Sequence, residues 1–307
     1  MRSRFAEILL IEALKNPNLF LLTGDLGYNV FDKFITEAPS QFFNCGVAEQ
    51  NMIGVAGGLS SQGKKVFVYS IANFPTFRCL EQIRNDLVYM GNNVCIVSVG
   101  SGFSYGSQGY THHGIEDISI MRCLGNLKVY SPADTYELEA IMPELMTSCF
   151  TSYLRLGKGG EPLIHKNPIS NVNQPILFQE FTSSSTSKLV GILSCGTIGS
   201  EILEIQTLHK GKFNYMAYSV PLLDKKQIKD FLLDKKFDLV ITLEEHVLAG
   251  GFGSMILEVN SEYNINLNIR NIGINSNNLE SNGSQPYLRK IHKIDAVSIM
   301  EFIEQNL

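Results

Sequence analysis

The sequence predicts an α/β fold of two domains, each a mainly parallel sheet with helices on both faces. One observation is that short apolar runs rich in β-branched and aromatic residues alternate with helical stretches. Another is that this alternation stops at a Pro-, Asn- and Ser-rich segment and then restarts. The third is length: 307 residues suit two domains at roughly 100–200 residues each.

The elements follow in order. MRSRFAEILLIEAL (1–14) is broken by Glu7 and Glu12 and reads as an amphipathic helix, not a signal peptide. NLFLLTGD (18–25), KVFVYSI (65–71), NVCIVSVG (93–100) and NLKVYSP (126–132) are strands ended by turn residues. Helices are expected over 46–62 and 76–90. From Gly157 to Lys188 the texture becomes that of a connector ending in SSSTS (183–187). The alternation resumes with LVGILSCG (189–196), a helix to His209, FNYMAYSV (213–220), a helix over 225–235, DLVITLEEH (238–246), a helix from Phe252, and LNIRNIGI (267–274). The expected boundaries are therefore 1–165, a linker over 166–187, and 188–307.

Composition narrows the function class. A hydrophobic fraction of 44% with 18% charged residues is a globular balance. No apolar run approaches the ~20 residues of a bilayer span. A net charge of −5 with scattered Lys and Arg argues against nucleic acid. The six cysteines form no C-x-x-C pair, so neither a zinc site nor a disulfide framework is expected, and a reducing cytoplasm is the simplest compartment.

The segment FFNCGVAEQNMIGVAGGLSSQGKKVFV (42–68) is the most informative. A helix holding Gly54, Gly57 and Gly58 gives up about 1 kcal/mol per glycine relative to alanine, so close approach by another backbone is expected to compensate. Glu49 falls near its start, where the helix dipole favours an acid. Flanked by Val47, Ala48, Met52 and Ile53, its carboxyl would have a raised pKa, which suits a proton relay.

GVAEQNMIGVAGGL, preceded by TGDLG (23–27) and followed by EQIRNDL (81–87) and THHGIEDI (111–118), resembles the pyrimidine-binding half of the transketolase family. EEHVLAGGFGS (244–254) resembles the family's third domain, and the similarity covers nearly the whole chain. The resemblance implies thiamine diphosphate chemistry, with transfer of a two-carbon ketol unit from a ketose to an aldehyde. The family glutamate at the position of Glu49 hydrogen-bonds the pyrimidine N1′ and so promotes loss of the thiazolium C2 proton. Phe74 and Phe77, in SIANFPTFR (70–78), fall where the family stacks aromatics on that ring; two ordinary core phenylalanines would read the same way.

His112, in GYTHHG, matches the family's substrate-facing histidine, whereas His113 stands where the family carries Gln. Asp25 matches an aspartate near the cofactor, although an aspartate after LLTG also suits a turn or cap. Arg2 and Arg155 fall where the family's sugar-phosphate arginines lie, with surface salt bridging as the plainer reading. Two positions depart from the family. A substrate-recognising aspartate becomes Gln108, and a phosphate-holding histidine becomes Gly100, which points to a modified or nucleotide-linked sugar.

The family's earlier domain, with its GDG…N signature for Mg²⁺ and the diphosphate, does not occur in this sequence: TGDLG reads GDL. No metal ligands are therefore expected in this chain. Mg²⁺ would be held mainly by a separate subunit carrying the diphosphate-binding domain, in an α2β2 assembly acting on sugars or sugar phosphates. Competing readings are the β subunit of a thiamine-dependent 2-oxo acid dehydrogenase, a 1-deoxyxylulose 5-phosphate synthase, and a non-catalytic interface subunit.

Overall fold

A computed structural model describes residues 1–183, 188–209, 211–279 and 281–307. Residues 184–187, the end of the expected linker, lie outside the described residues. The first sheet has six strands in the order β2-β1-β3-β4-β6-β5, all parallel. Its strands are β1 (Leu19–Thr23), β2 (Phe42–Asn44), β3 (Lys65–Ile71), β4 (Val94–Val99), β5 (Lys128–Tyr130) and β6 (Ser152–Leu156). Five strands form the second sheet, β7 (Ile176–Phe181), β8 (Leu189–Cys195), β9 (Asn214–Ser219), β10 (Leu239–Val247) and β11 (Ile269–Ile274), in the order β11-β10-β8-β9-β7. Its pairings are parallel except β7 against β9.

β7 is a departure from expectation, because it lies within the segment read as a linker. Partly and fully exposed along its length, it is the edge strand of the sheet, and pairing with the later strand β9, rather than any apolar run of its own, brings it there. The stretch 76–90 also differs from a plain α-helix. It is a 3₁₀ turn (Phe77–Cys79), one α turn (Leu80–Gln82) and a π-helical segment (Ile83–Tyr89). No helix among the described residues is long and apolar enough to cross a membrane.

Three helices organise the first domain around the site. α1 (Arg2–Lys15) packs Phe5, Leu9 and Ala13 into a core with Phe31, Phe67 and Tyr69; Phe31 meets the Tyr69 ring edge-on at 4.8 Å. α2 (Asp32–Glu37) follows β1. α3 (Glu49–Ser61) buries Glu49, Met52, Ile53, Ala56 and Gly57, which are spaced to share one face. Burying Met52 and Ile53 contributes about 1.5–3 kcal/mol each and offsets the low propensity of the three glycines. The expected close approach is found at Gly57 alone: a Cβ there would lie 3.2 Å from Asp86 O on the π-helical segment. Gly54 and Gly58 have nothing within 4 Å of a built Cβ.

The two domains are sewn together by buried polar contacts. Val247 N donates to Ile115 O at 2.8 Å, Ser131 N to Pro221 O at 2.8 Å, and Phe103 N to the Glu245 carboxylate at 3.1 Å. The EEHVLAGGFGS motif lies on this seam. Glu244 accepts from Phe252 N and Gly253 N, at 2.6 and 2.8 Å, at the start of the helix Phe252–Glu262, and Arg289 binds Glu245 at 2.7 Å.

Candidate active site

In the first sheet the chain leaves β1 toward β2 and leaves β3 toward β4 on the opposite side, so the loops after β1 and β3 diverge. Such a switch point opens a crevice beyond the carboxyl ends of parallel strands. Gly24 and Asp25 follow β1, Glu49 opens the helix after β2, and Phe74 follows β3.

Glu49 is 2% exposed, and its carboxylate is held by Arg78, which donates from Nη1 to Oε2 at 2.7 Å. Its surroundings are thus less apolar than its sequence neighbours imply. Gly24 lets the β1 loop pass close by, since a Cβ there would lie 3.3 Å from Glu49 Cγ. The Arg78 guanidinium carbon lies 4.8 Å from the centre of the Phe74 ring. Phe74 in turn meets the His112 ring edge-on at 5.4 Å. His112 Nδ1 pairs with Thr111 Oγ1 at 2.9 Å, and Asn73 Nδ2 ties the same turn back by donating to Thr111 O at 3.2 Å. Glu49, Arg78, Phe74 and His112 therefore form one continuous row, from residues far apart in the chain.

Asp25 sits beside this row in a left-handed turn, with φ of +56°. Its Oδ1 accepts from Asn44 Nδ2 at 3.0 Å and Tyr28 Oη at 2.9 Å. These hydrogen bonds, Asn44's first, hold its carboxyl below the usual range. Phe77 is 42% exposed, on the same Phe77–Cys79 turn as Arg78. Gln108 is exposed on the loop that carries His112.

Arg155 requires a correction. It lies on β6, is 2% exposed, and donates to Asp117 Oδ2 at 2.7 Å, Gly114 O at 2.6 Å and Glu245 O at 3.1 Å. A guanidinium so engaged has no face to offer a sugar phosphate; it joins the two domains. The exposed cation at this strand end is Lys158, whose Nζ lies 5.3 Å from the Tyr105 ring centre. Arg2 is half-buried near Tyr69, where its charge lowers the phenol pKa against the larger upward effect of burial.

Gly100 and His113 also acquire definite settings. At Gly100, φ is +99° and a Cβ would fall 2.3 Å from Tyr105 Cδ2, so Tyr105 takes the room a histidine would need. His113 is buried at the seam, edge-on to Phe103 at 5.1 Å, and burial pushes its pKa down. Phe103 stacks on His292 from the second domain at 5.0 Å. His113 thus faces the neighbouring domain, while His112 faces the crevice row. Sequence reasoning missed Arg78, although the spacing of Phe74 and Arg78, four residues apart in FPTFR, was a signal for stacking.

Residues 1–160 match the transketolase pyrimidine-binding domain. A putative transketolase C-terminal section of Methanocaldococcus jannaschii is 31% identical over 100% of this chain and 96% of its own length. One of the subunits of the apulose-4-phosphate transketolase of Phocaeicola vulgatus is 31% identical over 91% of this chain and 88% of its own. A solved split-gene transketolase, described as an inactive beta4 tetramer, superimposes with a TM-score of 0.86 at 28% identity, covering 99% of this chain and 97% of the other. The chain therefore belongs to the transketolase family, and it matches C-terminal sections and subunits of the split type along nearly their whole length.

Proposed function

We propose that this chain supplies the pyrimidine-binding half of a thiamine-diphosphate-dependent transketolase whose diphosphate-binding half is a separate subunit. The observation that carries the reading is the row of Glu49, Phe74 and His112 at the β1/β3 switch point. A buried carboxyl beside a half-buried aromatic face suits an aminopyrimidine, which needs a hydrogen-bonding partner at its ring nitrogen and a flat apolar surface. Mg²⁺ and the diphosphate are assigned to the partner, because the family's GDG…N signature for them is replaced here by GDL in TGDLG.

When bound, thiamine diphosphate supplies the electron sink for breaking and forming a carbon–carbon bond next to a carbonyl. The chain's own residues govern geometry and protons. Glu49 holds the proton at the pyrimidine N1′, and Phe74 fixes the plane of that ring. His112, oriented through Nδ1 by Thr111, presents Nε2 to the substrate carbonyl or hydroxyl. Asp25, locked by Asn44 and Tyr28, borders the cofactor from the β1 loop.

The substrate wall departs from the ordinary pentose-phosphate pattern. Tyr105 fills the space above Gly100, Gln108 is neutral, and Lys158 with Arg2 supplies positive charge in place of Arg155. A modified sugar bearing an anionic group suits this wall, and one relative is named for a phosphorylated sugar, apulose 4-phosphate.

Val47, Val55 and Phe77 are exposed apolar residues around the helix that presents Glu49, and Gly54 and Gly58 leave its outer face open to close approach. This face is assigned to the partner in an α2β2 assembly. The inactive beta4 description of the split-gene neighbour accords with a chain that needs such a partner. Mixing the chain with a diphosphate-domain partner, thiamine diphosphate and Mg²⁺, then screening ketoses and aldehydes by mass change, tests the reading. Ketol transfer by the mixture alone is expected; full activity of the isolated chain overturns it.

A further inference from the structure

The two groups assigned to the pyrimidine are joined by a single side chain. Arg78 donates to Glu49 Oε2 at 2.7 Å while its guanidinium lies 4.8 Å from the Phe74 ring centre. A guanidinium is a planar cation with N–H donors along its edge, and it stacks readily on aromatic faces. An aminopyrimidine protonated at N1′ is likewise a planar cation, with one N–H on that edge to donate to a carboxylate and a flat face to stack. Both therefore ask the same two things of this site.

We propose that Arg78 is a placeholder for the cofactor's pyrimidine, neutralising Glu49 and covering Phe74 until the pyrimidine displaces it. The inference rests on the assignment of Glu49 and Phe74 to that ring. The reason for a placeholder lies in burial: Glu49 is 2% exposed, and a buried carboxylate without a partner is costly. Arg78 can leave at little expense. Its side chain is 46% exposed, and it stands on the Phe77–Cys79 turn, which is pinned independently by the buried Cys79 and its contact with Phe74 O at 3.4 Å. Its departure requires side-chain rotation and leaves the core unchanged.

Because the pyrimidine and the guanidinium compete, the apparent affinity for the pyrimidine is reduced by the population of the Arg78–Glu49 pair. The residue is thus a positioning and gating group. It makes affinity depend on how easily the pair opens, and a partner seated over the exposed Phe77 would bias that opening.

The test uses the full chain and the fragment 4-amino-5-hydroxymethyl-2-methylpyrimidine, with binding followed by calorimetry or ligand-observed NMR. Arg78→Ala is expected to bind the fragment roughly three- to tenfold more tightly than the parent chain. That gain should vanish in the Glu49→Gln, Arg78→Ala double variant, and guanidinium ion should compete with the fragment in Arg78→Ala. Arg78→Gln, which keeps a planar but uncharged group, provides the same reading if Arg78→Ala does not fold. Binding that is equal or weaker without Arg78, or a gain that survives loss of the Glu49 carboxylate, overturns the proposal. The underlying reading fails separately, if the parent chain with its partner shows no thiamine-diphosphate-dependent transfer.

Discussion

Replacing Arg155 with methionine separates a structural arginine from a substrate-binding one. Its guanidinium is buried between the domains, ion-paired to Asp117 at 2.7 Å and donating to the carbonyls of Gly114 and Glu245. Removing it strands a buried carboxylate, which costs about 3–5 kcal/mol; Gly114 O keeps its bond from Gly102 N, so the lost carbonyl contacts add roughly 1 kcal/mol, mainly at Glu245 O. A loss of about 4–6 kcal/mol is therefore expected, read from the urea midpoint multiplied by the slope. Neutralising the stranded acid in the Asp117→Asn, Arg155→Met double variant should restore about 2 kcal/mol, because Tyr153 Oη, 2.6 Å from Asp117 Oδ2, still has a partner. An unchanged midpoint together with a raised KM for phosphorylated sugars would refute this reasoning and return Arg155 to the substrate site.

Three further outcomes follow from the geometry. His112→Asn should lower kcat by about 10²–10³ in the assembled enzyme while leaving cofactor affinity unchanged; a smaller kcat loss with weakened cofactor binding would place His112 on the cofactor instead. Restoring the family residue through Gly100→His should destabilise the chain by about 2–4 kcal/mol, from the positive φ and the overlap with Tyr105. Adding Tyr105→Ala should recover the overlap part only, as thermal unfolding would reveal. Stability should peak near pH 6.5. Burial pushes His246 down to about 4 and also lowers His113 and His292, so their contribution is complete above the unfolded value of 6.5 and is lost as pH falls toward 4. Burial pushes Glu244 up to about 8, against the opposing amides of Gly253 and Phe252, so its contribution declines as pH rises from 4.5 to 8. Each net proton changes stability by ~1.4 kcal/mol per pH unit, Glu244→Gln should flatten the alkaline limb, and a monotonic rise to pH 8 would contradict the assignment.

Much of the architecture was legible because parallel strands buried on both faces read as continuous apolar runs. KVFVYSI is β3 residue for residue, and β4, β8 and β10 differ from their sequence limits only at the ends. The strands that escaped notice lack that signature. β2 is three residues long, β6 carries Arg155 in the middle of an apolar run, and β7 lies along a partly exposed edge within a Pro- and Asn-rich stretch. Of the row that the fold assembles, Glu49, Phe74 and His112 were picked out by motifs whose order and spacing are local. Arg78 was not, because its partner Glu49 is 29 positions away and only the fold joins them. Arg155 was misassigned for the same reason: Asp117, 38 positions away, turns a cation that could bind phosphate into a buried clamp.

The central claim is that this chain holds one half of an active site, with Glu49 as its proton-controlling group. The most direct measurement is the rate of thiamine-diphosphate-dependent ketol transfer by the chain mixed with a diphosphate-domain partner, compared with each component alone and with Glu49→Gln in the mixture. The account predicts turnover only in the mixture, and a loss of at least about 10²-fold in the Glu49→Gln mixture with assembly intact. Turnover by the isolated chain, or a near-normal rate in the variant mixture, would contradict it.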